Sequence, residues 1–188
     1  EGSATSPGFI LVSSGFQNVE AGSWFRFVDI DADGDNDLFC NGFSSTVNFY
    51  RNIGTRLSPS LFSEIAGIKD TSGSLVLSES ISVPAFADLD GDGDRDFFSG
   101  NSIGSIWYYE NVGTATNFRF RFVTDQYQNI IIIGAVGKAP PIADVAGAGL
   151  TAFVMPKRAL HGAMAIAFAD IDNDNDLDLF WGDLFNSS

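Results

Sequence analysis

The sequence predicts an all-β fold, a β-propeller-like array of four-stranded antiparallel blades carrying Asp-rich loops, and three observations predict it. Three Asp-rich segments recur between short apolar runs, and the pattern around the first two repeats at 59 residues, from Asp29 to Asp88. The runs themselves are short, aromatic and β-branched, with Gly, Asn and Ser at their ends and no sustained helical periodicity. Four such strands in roughly 55–60 residues is the content of one propeller blade. With 188 residues, 45% hydrophobic, and 18 Phe, the chain has the material for a core.

In chain order, residues 1–23 form an outer strand opened by Phe9, and residues 24–80 form the first repeat. Its strands are expected at Trp24–Val28, Asp37–Cys40 and Val47–Tyr50. An Asn52-Ile53-Gly54-Thr55 turn follows, with its Gly 25 residues after Asp29. Residues 81–138 form the second repeat, where Gly113 of Asn111-Val112-Gly113-Thr114 again lies 25 residues after Asp88. Strands are expected there at Ile106–Tyr109 and Phe118–Val123, and the run from Ile130 to Ile133 reads as a buried strand.

Phe62 precedes Asp88 by 26 residues, and Phe118 precedes Asp144 by the same distance, which points to a degenerate repeat over residues 139–160. That segment keeps its glycines but has Ala146, Ala148 and Ala152 where carboxylates would stand, so no ion is expected at Asp144. Only 26 residues then separate Asp144 from Asp170, too few for a full unit. Either this repeat is truncated or residues 125–160 are an insertion; truncation is preferred. Residues 161–188 form a truncated last repeat.

The acidic segments carry the chemistry. Asp29, Asp31, Asp33, Asp35 and Asp37 alternate in the first, as do Asp88, Asp90, Asp92, Asp94 and Asp96 in the second. The third has Asp170, Asp172, Asp174, Asp176 and Asp178. Five carboxylates in nine residues repel one another, and a solvated face does not need them in strict alternation. A hard cation does: calcium takes six to eight oxygens, here from side chains at the first, third, fifth and ninth loop positions and from the carbonyl at the seventh. Magnesium prefers fewer protein ligands. Gly34, Gly93 and Asn175, at the sixth position, suit a left-handed turn. An EF-hand would need a bidentate Glu entering a helix at the twelfth position, where this chain has Cys40, Ser99 and Trp181 within strands.

The stretch Ala87-Asp88-Leu89-Asp90-Gly91-Asp92-Gly93-Asp94-Arg95-Asp96-Phe97-Phe98, with its recurrences at 29–39 and 170–180 and the Asn-x-Gly-Thr turns, resembles the calcium loop of the FG-GAP/VCBS repeat family, which includes the integrin α-subunit propeller. The resemblance implies a propeller-like fold, an extracellular location and calcium in a structural role at three sites. It leaves the ligand open between adhesion, carbohydrate binding and scaffolding.

Other features narrow the function. There are 24 acidic and 10 basic residues, a net charge of −14, which disfavours nucleic acid and anionic membranes as partners. The longest apolar run is far short of the roughly 20 residues of a membrane-spanning helix. Neither Met nor a charged-then-apolar leader opens the chain, so Glu1 is either a processed start or a cut inside something longer. Cys40 is the single cysteine, so no internal disulfide forms, and it reads as a small buried apolar residue.

His161 is the single histidine, without a Gly-x-Ser-x-Gly elbow, and Glu20, Glu64, Glu79, Glu110 and Asp125 are scattered, so no catalytic constellation is legible. Gly91 and Gly93 sit among aspartates, which repel a phosphate. The chain therefore reads as a secreted or cell-surface structural or adhesion module and not an enzyme, with a protein or carbohydrate ligand. The alternative is a carbohydrate-binding module attached to a secreted enzyme, with Trp107, Tyr108, Tyr109 and Trp181 as stacking residues or, more simply, blade core. Asn186-Ser187-Ser188 is a glycosylation sequon. Residues near 9–19 are expected to complete the blade of residues near 163–181, within one molecule as ring closure or between molecules as a filament.

Overall fold

The computed structural model describes residues 5, 6, 8, 11, 16, 17, 19–114, 116–130 and 165–182. Strands β1 (Phe25–Val28), β2 (Asp37–Asn41), β3 (Val47–Asn52) and β4 (Leu61–Ile65) form one antiparallel sheet in sequential order. Strands β5 (Ala85–Ala87), β6 (Asp96–Gly100), β7 (Ile106–Asn111) and β8 (Phe120–Thr124) form a second sheet of the same order. Strands β9 (Ala165–Ala169) and β10 (Asp178–Gly182) form a two-stranded sheet. The 59-residue period is structural: β2, β3 and β4 each map onto β6, β7 and β8 at that offset. Even the register shift between Phe49 and Tyr50 recurs between Tyr108 and Tyr109. Helix is confined to two three-residue 3₁₀ turns among the described residues.

Alternation sorts each strand between two layers. Phe39 and Phe49 leave the first sheet on one side and meet Phe97, Tyr109 and Phe120 of the second in one cluster. Phe39 has its ring centroid 4.7 Å from Phe86, 4.9 Å from Phe49 and 5.5 Å from Phe118, so it fastens the sheets together. Phe98, one period after Phe39, repeats the step: it leaves the other side of the second sheet and meets Phe168 of β9 at 4.7 Å. This double cover explains why every residue of β2 and β6 is buried.

The units thus stack in one direction, each presenting its Phe39-type face to the next. Ile166 donates its N–H to the Val83 carbonyl at 3.1 Å, and Val83 and Ala165 form a parallel bridge, so β9 packs directly on the second sheet. Among the described residues no ring is closed, and Phe180 and Trp181 of β10 are 40% and 51% exposed.

The outer face of the first sheet buries Leu38, Cys40 and Tyr50 under Val19 and Leu61. Burial pushes the Cys40 thiol up to about 11. Among the described members of residues 1–23, Gln17 holds the Pro59 carbonyl and the Leu61 N–H at 2.6 Å each, and the Glu20 N–H reaches the Tyr50 hydroxyl at 3.4 Å; most of residues 9–19, expected to complete the blade of residues near 163–181, lie outside the described residues. The apolar face of β2 and β3 lies close in sequence and takes Val19 as its cover. Phe9, the degenerate repeat at 139–160 with Asp144, His161 and the sequon at Asn186 lie outside the described residues, as do Ile131 to Ile133.

Candidate metal centres

Each acidic loop joins the first two strands of its unit, so its carboxylates gather at one end of a sheet. One oxygen each from Asp29, Asp31 and Asp33 lies within 4.8 Å of the others, and the same holds for Asp88, Asp90 and Asp92 and for Asp170, Asp172 and Asp174. Two left-handed residues bend every loop. The sixth position has φ of 92°, 94° and 72° at Gly34, Gly93 and Asn175, as its residue types suggested. The fourth position is left-handed as well, at Ala32 (58°), Gly91 (76°) and Asn173 (65°), which an alanine there had concealed.

The first loop position organises the turn. Asp88 accepts the N–H groups of Gly91 at 2.8 Å and Gly93 at 3.0 Å, and Asp170 those of Asn173 at 2.6 Å and Asn175 at 3.1 Å. Asp29 accepts Gly34 N–H at 3.1 Å. The ninth position ties the loop to the third strand: Asp37 Oδ1 accepts Asn52 N–H at 2.6 Å, and Asp96 Oδ1 accepts Asn111 N–H at 2.8 Å. Asn52 in turn accepts Gly54 and Ser60 N–H through its side-chain oxygen at 3.0 and 2.9 Å, and Asn111 does the same for Gly113 and Arg119 at 3.2 and 2.8 Å. The Asn-x-Gly-Thr turn is therefore an extension of the acidic loop. Its spacing was visible in the repeat, but the bond from Asp37 to Asn52 was not.

Several carboxylate oxygens are buried with no hydrogen-bond partner: Asp29 Oδ1, Asp31 Oδ1, Asp35 Oδ1 and Asp37 Oδ2 in the first loop and Asp94 Oδ1 in the second. An isolated buried carboxylate oxygen is costly unless something cationic or a donor satisfies it. Asp35 and Asp94 occupy the seventh position, expected to contribute a backbone carbonyl; one side-chain oxygen of each, Oδ1, is buried and unpartnered as well, so it is a further candidate ligand atom. The donor set is all oxygen, which suits a hard cation of the calcium type.

The electrostatics agree. Burial, opposed by the Asn52 N–H and reinforced by Asp31 and Asp33, pushes Asp37 up to about 6. Burial first, then Asp92, pushes Asp94 up to about 6; burial does the same to Asp96 against the Asn111 N–H and the Tyr108 hydroxyl. Asp31 and Asp35 are raised by burial and then by Asp33.

The third loop differs from the equal of the others that its sequence suggested. Asp170, Asp172 and Asp174 are exposed, and Asp178 Oδ2 accepts Ile171 N–H of its own loop at 3.2 Å in place of a third-strand donor. Among the described residues no third strand stands beside β10 to bury that loop.

The twelfth-position residues Cys40, Ser99 and Trp181 lie in β2, β6 and β10, as the argument against an EF-hand required. Tyr109 is core, and Tyr108 stacks on Phe98 at 4.7 Å and 8°; Trp107 is half-buried at the rim of a cleft of about 480 Å³ with Tyr109 and Phe122. No helix among the described residues is long and apolar enough to cross a membrane.

No curated protein and no solved structure gives a match to the chain. The model of the FG-GAP-like repeat matches residues 29–99, from the first acidic loop through the second and into β6. With two aspartate loops set at the same end of matching four-stranded sheets, the match over residues 29–99 is consistent with an FG-GAP-like repeat, as the loop motif had indicated.

Proposed function

We propose that this chain is a calcium-stabilised structural or adhesion module of the cell exterior, propeller-like in its stacking and without enzymatic activity. The observation that carries the proposal is the first loop, where four buried carboxylate oxygens of Asp29, Asp31, Asp35 and Asp37 have no hydrogen-bond partner and converge on one end of a sheet. A divalent ion would satisfy them and offset both the burial and the repulsion from Asp33 that raise Asp31 and Asp35. Three ions would bring the formal net charge from −14 to −8. Sites of extracellular modules bind calcium at roughly 10⁻⁴–10⁻³ M, which such a protein meets outside the cell.

Thermal unfolding in chelator and in millimolar calcium tests this: calcium should raise the melting temperature sharply, and identical curves would sink the proposal. The uneven burial of the loops further predicts two tighter sites and a weaker one at Asp170–Asp178. Phe180 on β10 occupies the position of Phe39 in the repeat and is 40% exposed, whereas Phe39 packs on a following unit, so a second copy or a further blade would seat there head to tail. Sedimentation at increasing concentration reads that out.

The cleft lined by Trp107, Tyr109 and Phe122, with Asp70 and Asp125 at its rim, supports a second reading as a carbohydrate-binding module beside a secreted enzyme. A glycan array separates the two, since a scaffold binds nothing there.

A further inference from the structure

The first two loops differ in whether a cationic side chain is bonded to a loop carboxylate. The bonds from Asp37 to Asn52 and from Asp96 to Asn111 put β3 and β7 in the same register, so Arg51 and Glu110 occupy equivalent positions. Arg51 pairs through its guanidinium with Asp31 Oδ2, and it lies over the Phe49 ring, 5.7 Å from the centroid. Asp31 is 7% exposed, and its other oxygen, Oδ1, is buried with no partner. Glu110 instead pairs across the strands with Arg121 of β8, at 2.5 Å. Arg95, within the second loop, is exposed and makes no ion pair with a loop carboxylate among the described residues.

We infer that Arg51 is a resident counter-cation of the first loop, holding it together without metal and lowering its affinity for a divalent ion, while the second loop has no such group. The inference rests on the calcium reading above. A fixed positive charge bonded to Asp31 neutralises part of the field that would attract an ion, and an ion held by the remaining oxygen of the same carboxylate would be repelled by that charge. The guanidinium also relieves repulsion among the carboxylates when the loop is empty, which Glu110 cannot do. The first loop thus keeps its shape through changes in calcium, and the second depends on the ion.

The test is a calorimetric titration with calcium chloride of the parent protein, Arg51→Gln and Glu110→Arg, with melting curves in chelator beside it. Arg51→Gln should tighten one site by about tenfold, equivalent to about 1.4 kcal/mol, and lower the melting temperature in chelator. Glu110→Arg should weaken one site by a similar factor and raise the melting temperature in chelator. Calcium binding by all three proteins with affinities within about twofold would overturn the role of Arg51 and leave the calcium sites standing. An absence of calcium binding by all three would overturn both readings. If Arg51→Gln folds only when calcium is added, the inference is supported; if it folds in neither condition, the affinity of Glu110→Arg decides.

Discussion

Replacing Asp37 by Asn separates what its shape contributes from what its charge contributes. Oδ1 accepts the Asn52 N–H at 2.6 Å, and Oδ2 is buried without a partner. Asparagine keeps the acceptor and places an amide N–H₂ where the unpartnered oxygen stood, facing carboxylates that can accept from it. In the metal-free protein at pH 7 the carboxylate is charged although burial pushes it up to about 6. Against an ordinary value of about 3.9, at 1.36 kcal/mol for each pKa unit, the charge costs about 3 kcal/mol. Water entering an empty loop screens part of this, so Asp37→Asn should stabilise the chelated protein by about 1–2 kcal/mol.

In calcium the sign reverses. The same change removes a charged ligand, and a site lost at a hundredfold excess over its dissociation constant costs about 2.7 kcal/mol, leaving a net destabilisation of about 1 kcal/mol. Urea unfolding at pH 7, once in chelator and once in calcium, reads both numbers. A shift of the same sign in the two conditions would refute the reasoning: destabilisation in both would mean that the charge of Asp37 serves the fold itself, and stabilisation in both that it holds no ion.

Three further outcomes follow from the same geometry. In chelator, Asp37, Asp94 and Asp96 hold their protons more tightly in the folded than in the unfolded chain, so stability should be highest near pH 4, fall as pH rises towards about 6 and level off above it; calcium should reverse the slope, because protons then compete with the ion. Phe39→Ala should cost about 3–5 kcal/mol by denaturant unfolding, since the ring is fully buried between the two sheets, and a loss below 1 kcal/mol would show that they do not depend on each other. At Gly113 an added Cβ would collide with the Asn117 carbonyl and lie 2.7 Å from Arg119 N, so Gly113→Ala should lower the melting temperature of the calcium-loaded protein, whereas an unchanged melt would show that the turn can open at no cost.

Much of the fold was readable because it is written twice. The Asp-to-Gly spacing that repeats between Asp29 and Gly54 and between Asp88 and Gly113 reappears in the fold as β2–β4 and β6–β8. Strands at Trp24–Val28, Val47–Tyr50 and Ile106–Tyr109 were expected within a residue or two, because aromatic alternation between Gly and Asn leaves few options. The site was legible only as a list of acids. That the fourth loop position is left-handed was hidden by Ala32, a residue that seldom adopts φ > 0. The effect of Arg51 depends on a neighbouring strand, and the weaker standing of the third loop depends on which strands surround it. Neither is a property of local pattern. Strand complementation and local cover of an apolar face use the same residue types, so the cover that Val19 gives to Leu38, Cys40 and Tyr50 was not legible either.

The chain of bonds from Asp37 through Asn52 to Gly54 and Ser60 has a mechanical consequence. At that end of the first sheet β2 begins, β3 finishes and β4 begins, so one knot of polar bonds ties these three strands, and the second sheet has the same knot at Asp96 and Asn111. A pull on the chain would otherwise peel a meander open one strand at a time from its edge, each step breaking only a few ladder bonds. With the knot in place, the outer hairpin cannot swing away until Asn52 releases Asp37. Force would therefore be borne by the aspartate end of each sheet, and an ion bound there would set the tension at which the unit gives way.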